Sequence, residues 1–166
     1  MCVLGIDPGS TVTGYAVIRS ARGRLTLLDS GCIRTSSKEP MGQRLATLHQ
    51  GILKVIDRHT LDGVAIEAIF RHKSSESALR LGQARGVLVL AAALRGFEAA
   101  SYNPMTVKKT VGAHGRSDKE ALARVVGMLL GERPEGPTDV TDAVAIAITH
   151  CRYARSRVMA GAGGET

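Results

Sequence analysis

Residues 4–17 read LGIDPGSTVTGYAV, an apolar run that meets an acid, passes through a Pro-Gly turn and resumes as a second apolar run. The acid is Asp7. A strand bound for a core has no use for a charge at its end unless something meets it there. Asp7 is therefore either turn chemistry, with its carboxylate bonding the amides that follow, or part of a site. Working outward, CVLGID, TGYAVIRS and RLTLLDSGCIRT are β-rich runs separated by turn residues, which predicts an antiparallel meander.

Beyond it, Leu45, Leu48, Ile52, Val55 and Ile56 recur with helical spacing, predicting a helix over 41–58, and GVAIEAIF (63–70) returns as a buried strand. The segment 77–94 is apolar or small nearly all round, so a helix there needs cover on two faces. FEAASY (97–102) predicts a fifth strand, and Asn103-Pro104 opens a short helix through Lys108 and Lys109. Ser117 and Glu120 have capping-box spacing ahead of another helix, and a last helix is expected over 139–154. Strands followed by alternating helices and strands predict an α/β fold with a central mixed five-stranded sheet flanked by helices. A single domain is expected over 1–157, with 158–166 a disordered tail.

The chain has 166 residues and a formal charge of +7, which favours a polyanionic partner such as nucleic acid. Its three cysteines have no CxxC spacing and suit neither a disulfide framework nor a zinc site. The longest apolar stretch, 87–94, is far short of a membrane span, and no leader is evident. A cytoplasmic protein with no membrane partner is expected.

Asp7, Glu67 within VAIEAIF, and the pair Asp139 and Asp142 interrupt apolar sequence where packing alone would not ask for a carboxylate. Residues i and i+3 share a helix face, so the two aspartates can address one spot, although each could also cap the helix. Glu67 inside a buried strand needs a partner or a raised pKa. Convergent carboxylates cost several kcal/mol per uncompensated ion, and bound cations resolve the conflict. Mg²⁺ takes hard oxygen ligands together with water and phosphate. Two such ions suit in-line displacement at phosphorus. A basic chain with an acidic metal pocket is thus a candidate phosphodiesterase on nucleic acid.

At these residues the chain resembles the RuvC family of crossover-junction endodeoxyribonucleases. The matching blocks are GIDPGSTVTGYAVI, SGCIRT, AIEAIF, SALRLGQARGV and TDVTDAVAIAITHC, in family order, with weaker similarity around VKKTVGAHGRSDKE. The resemblance implies an RNase H-like fold and a homodimer. It further implies Mg²⁺-dependent nicking of two opposed strands of a four-way DNA junction, leaving ligatable 5′-phosphate ends. Two Mg²⁺ per subunit are expected, with Mn²⁺ able to substitute, and a branch-migration helicase complex is an implied partner.

By position, Asp7, Glu67, Asp139 and Asp142 would be the catalytic, metal-binding acids. Phe70 matches an aromatic near the junction centre, and Lys108 and Lys119 match basic positions used on DNA. Arg71, Lys73, Lys109 and Arg116 are further candidate DNA contacts. Arg80 and Arg85 are either phosphate contacts or solvated charges. Phe70 either stacks on an unpaired base or hooks its loop to the core. The helix over 77–94 is either buried within one subunit or shared with a second copy. His150 reads as structural. A nuclease acting on another nucleic acid, a non-catalytic junction-binding module and an actin-like ATPase are the competing readings, and 166 residues leave the last no room for a second domain.

Overall fold

The computed structural model describes residues 1–69, 74–112 and 119–162, with the main chain alone at 119 and 157–162. Five strands, β1 (Cys2–Asp7), β2 (Val12–Ala21), β3 (Arg24–Arg34), β4 (Gly63–Glu67) and β5 (Ala100–Tyr102), form one sheet in the order β3-β2-β1-β4-β5. The first three make the expected antiparallel meander, and β4 and β5 join parallel to β1. The helices are α1 (Met41–Arg58), α2 (Ser75–Ala93), α3 (Pro104–Val111), α4 (Lys119–Leu130) and α5 (Thr138–Ala162).

The period of two along a strand sorts the core. Leu4 and Ile6 of β1, with Val64 and Ile66 of β4, pack against Leu48, Ile52, Val55 and Ile56 of α1 and Ala84 and Leu88 of α2. Val3 and Ala65 point the other way, into Val107, Leu122, Val126 and the apolar face of α5. Ile52 is fully buried, and truncating such a side chain to alanine costs about 2–5 kcal/mol. Gly5 shares the second face, where a Cβ would stand 2.2 Å from the Ala143 carbonyl oxygen. The missing side chain lets α5 lie directly on β1.

Local signals explain most element ends. Asn103 accepts a bond from the Met105 amide at 2.9 Å, Pro104 opens α3, and Gly112 closes it at φ 95°. Arg58 and His59 both bond Asp29 at the end of α1.

Three boundaries differ from the sequence reading. β4 stops at Glu67, and β5 starts only at Ala100, because the Phe97 amide bonds the Ala92 carbonyl and closes α2. α5 continues to Ala162, so residues 158–162 of the expected tail are helical. α2 is covered on one side only: Leu79, Leu90 and Leu94 are 64%, 50% and 58% exposed. Burial of that helix wholly within one subunit is thereby excluded. Among the described residues no helix is long and apolar enough to cross a membrane.

Candidate active site

Strand parity carries two acids to one place. Residues 3, 5 and 7 of β1 share a face, as do 65 and 67 of β4, and this is the face that α5 covers. The parallel register sets Ile6 beside Ile66, so Asp7 and Glu67 leave adjacent strand ends side by side. Asp7 is also paired with Gly14, Gly14 with Cys32, and Glu67 with Tyr102. Cys32, Gly14, Asp7, Glu67 and Tyr102 therefore form one row across the whole sheet.

The first turn of α5 supplies the other acids. A Cβ on Gly14 would lie 2.1 Å from the Asp139 carbonyl oxygen, so the helix start rests on the row at its glycine. Asp139 and Asp142 then follow on one helix face.

The four carboxylates feel one another. Burial pushes the Asp7 carboxyl up to about 8, reinforced by the charges of Glu67, Asp142 and Asp139 and by a hydrogen bond to Glu67. Glu67 is also raised, by burial and then by Asp142, with the Asp7 hydrogen bond and the Lys108 charge pulling it back. The hydrogen bond between the two thus raises Asp7 and lowers Glu67. The Cys32 thiol is raised by burial and by Asp139, with Arg34 opposing. That puts Cys32 on the rim of the same charge cluster.

The donor set is all carboxylate oxygen, the chemistry that Mg²⁺ or Mn²⁺ takes. Among the described residues no three His, Cys, Asp or Glu side chains form a ready metal cage. A divalent cation removes the repulsion among these acids.

The loop after Asp7 is held from two sides. Buried Thr13 accepts from the Gly9 amide at 3.2 Å and donates to the Gly9 carbonyl at 2.8 Å. Arg44, 5% exposed, donates to the Ser10 carbonyl at 2.6 Å and to the Thr11 and Thr35 hydroxyls at 3.3 Å. Thr35 adds a bond to the same carbonyl at 2.7 Å. Sequence reading did not single out Arg44. Its signal was position, because it lies one turn before Leu48 on the apolar stripe of α1.

Of the other candidates, half-buried Lys108 lies close enough to Glu67 to bias its proton, and Lys109 is exposed beside it. Arg85 donates to the Glu67 carbonyl at 3.1 Å and to the Ser101 hydroxyl, bracing the end of β4. Arg80 pairs with Glu76 on its own helix. His150 sits 3.0 Å from the Tyr102 hydroxyl and against Gly63, a packing arrangement. Phe70, Arg71, Lys73, Arg116 and the Ser117 cap lie outside the described residues, as does the side chain of Lys119.

The chain is similar to known proteins over nearly its whole length. A family model described as crossover junction endodeoxyribonuclease RuvC matches residues 3–150. The protein of that name from Moorella thermoacetica is 44% identical over 156 residues, 93% of each chain. Its counterpart from Azorhizobium caulinodans is 41% identical over 151 residues, 91% of this chain and 89% of that one. The solved structure of T. thermophilus RuvC in complex with Holliday junction substrate superposes with a TM-score of 0.88 at 36% identity, covering 95% and 96% of the two chains. The yeast mitochondrial Holliday junction resolvase, 12% identical with a TM-score of 0.65, has the same fold. With its acids gathered at one end of an RNase H-like sheet and this likeness running from end to end, the chain belongs to the RuvC family of crossover junction endodeoxyribonucleases.

Proposed function

We propose that the protein resolves four-way DNA junctions as a metal-dependent endonuclease, nicking two opposed strands and leaving 5′-phosphate ends. The observation that carries this is the meeting of Asp7, Glu67, Asp139 and Asp142 in one mutually repelling cluster on a basic chain. Mg²⁺ is the expected cation, with Mn²⁺ able to replace it. When bound, such ions stabilise charge on the attacking and leaving oxygens of phosphodiester hydrolysis.

The protein's own groups do the rest. Asp7 and Glu67 leave adjacent strand ends, and Asp139 and Asp142 leave the first turn of a helix seated on Gly14, which supports their acting together. The Thr13 and Arg44 bonds hold the Gly9–Thr11 main chain that follows Asp7. Lys108 holds down the proton affinity of Glu67, and that nearness to the acids supports a role for it on a phosphate near the cut, with Lys109 beside it in sequence. Phe70 and Lys119 are assigned to the junction on the family pattern, and Arg71, Lys73 and Arg116 as basic residues beside them in sequence. Arg80 and Arg85 spend donors on protein acceptors, so their share in DNA binding is smaller.

The exposed face of α2 supports a homodimer. Leu79, Gln83, Gly86, Leu90 and Leu94 are exposed and recur every three or four residues, a stripe lying opposite buried Ala84, Leu88 and Ala91. No side chain at Gly86 blocks close approach. Two copies joined there present two acid clusters to a junction of approximate two-fold symmetry, which accounts for paired cuts. A branch-migration helicase is the partner that would supply the junction.

The deciding experiment compares cleavage of a mobile four-way junction, a linear duplex of the same sequence and an RNA–DNA hybrid, with Mg²⁺ and with chelator. Paired nicks in the junction alone, lost with chelator and in Asp7→Asn, are expected. Preferred cutting of the hybrid would make the protein a nuclease of another substrate, and junction binding without any cutting would make it a binding module.

A further inference from the structure

The end of the sheet away from the acids carries a second feature. The β2–β3 hairpin turns through Arg22 and Gly23, both at positive φ, 50° and 80°. This is the two-residue turn whose twist suits antiparallel strands, and Asn, Asp or Gly adopts its first position readily. An arginine there costs on the order of 1 kcal/mol. Turn formation alone does not call for Arg22.

Its side chain lines a cleft of about 670 Å³, along with Arg24, Arg152 and Arg155. Leu25, Leu129, Leu130 and Cys151 also line it, and a further hollow of about 390 Å³ continues past Arg22 and Arg155 to Met1. Among the described residues no acidic side chain lines either hollow. Arg152 donates to the Thr110 carbonyl. Among the described residues Arg22, Arg24 and Arg155 pair with no carboxylate. Three uncommitted guanidinium groups thus surround an apolar floor.

The cleft is separate from the catalytic acids. Cys2 pairs with Arg19 at this end of β1 and Asp7 with Gly14 at the other. At ~3.3 Å per residue, the strand from Gly14 to Arg22 spans roughly 26 Å. One phosphate cannot bridge that separation. A DNA duplex is also a poor fit for the shape, since its convex backbone offers charge and nothing to cover leucines. An acidic peptide carrying an apolar side chain offers both.

We propose that this cleft docks an acidic segment of a partner protein, with an apolar side chain on Leu25, Leu129 and Leu130 and carboxylates on Arg22, Arg24 and Arg155. Arginine pairs with carboxylates through two parallel hydrogen bonds, which gives the contact direction as well as charge. Seating an apolar group between such pairs excludes water from them, the arrangement of a binding hot spot.

The test uses the full chain and fluorescence anisotropy with three labelled probes. These are a short Asp/Glu peptide with two central leucines, the same peptide with serines in their place, and a short DNA duplex. Arg22→Gly relaxes the strained turn, so the variant folds with an unchanged or higher Tm, and Arg155→Gln is combined with it. The leucine peptide is expected to bind the wild type, and to bind the double variant about tenfold or more weakly. The serine peptide should bind the wild type weakly, and cleavage of a four-way junction by the variant should be unchanged. Failure of the leucine peptide to bind below about 1 mM, or equal binding by the variant, overturns the proposal. Loss of duplex affinity in place of peptide affinity overturns it too, and makes this end a nucleic-acid surface. Because the readout is peptide binding, its failure leaves the nuclease reading untouched, and the reverse also holds.

Discussion

A Cβ on Gly14 would stand 2.1 Å from the carbonyl oxygen of Asp139, so the first turn of α5 rests on the bare main chain of β2. Gly14 is at the same time the ladder partner of Asp7. One residue thereby sets the spacing between a strand acid and a helix acid.

Gly14→Ala is expected to push the helix start away, because the group it meets is main chain and cannot rotate aside. Overpacking of this kind costs about 1–3 kcal/mol. The larger effect should be on chemistry, since a displacement of about 1 Å costs on the order of 10²-fold in rate. Junction cleavage measured beside gel-shift binding checks this: cleavage should fall far more than affinity, and an equal fall in both would count against the positioning role.

The acid cluster makes stability depend on pH. The folded Asp7 carboxyl is raised from 3.8 to about 8, so between those values the native state holds a proton that the unfolded chain has released. Stability from this group is fully present below pH ~4 and is lost as pH rises through about 8. In chelator, Asp7→Asn should therefore be more stable than wild type at pH 8, by roughly 5 °C in Tm, and the gap should close toward pH 4. Excess Mg²⁺ should shrink or reverse it, because only the wild type offers the full carboxylate set. Thermal melts at several pH values decide the matter, and a gap independent of pH would place the stabilisation elsewhere.

The bare stripe on α2 predicts the oligomeric state. Leu90→Glu, at a position 50% exposed within the subunit, should leave the monomer fold intact and convert dimer to monomer. Light scattering coupled to size exclusion reads this directly. Cuts in the monomeric variant should become unpaired, each junction receiving single nicks; a dimer that survives both Leu90→Glu and Leu94→Glu would move the interface off this helix.

Among the described residues the buried cation Arg44 bonds only neutral acceptors, the Ser10 carbonyl and the Thr11 and Thr35 hydroxyls. Arg44→Met leaves the Ser10 carbonyl with the Thr35 bond alone and frees the loop beside Asp7. Losing a hydrogen bond from a charged donor costs about 1.5–3 kcal/mol. Cleavage should drop about tenfold or more at saturating junction, with Kd little changed and partial recovery in Arg44→Lys. A purely structural role would lower Tm without that split between cleavage and binding.

Much of the fold was legible in the chain because its signals are local. Strand parity, the stripe of α1 and the Asn103-Pro104 cap act over a few residues, and the elements formed close to where they were expected. The acids were legible for a related reason: a carboxylate inside apolar sequence conflicts with burial wherever it stands, and Asp7, Glu67, Asp139 and Asp142 each presented that conflict.

What the sequence by itself determined, then, was which residues want to be buried, which acids resist burial, and at what period each segment repeats. Tertiary structure alone decided which faces meet. Register across the sheet brought Cys32, Gly14, Asp7 and Glu67 into one row, the path of α1 buried Arg44 under the Asp7 loop, and α2 was left with one face bare. The hairpin tip and the second half of α5 closed a basic cleft from residues more than a hundred positions apart. Periodicity is a property of neighbours along the chain. Charge repulsion, bracing and open surface arise between segments distant in sequence, and only the packed arrangement of those segments sets them.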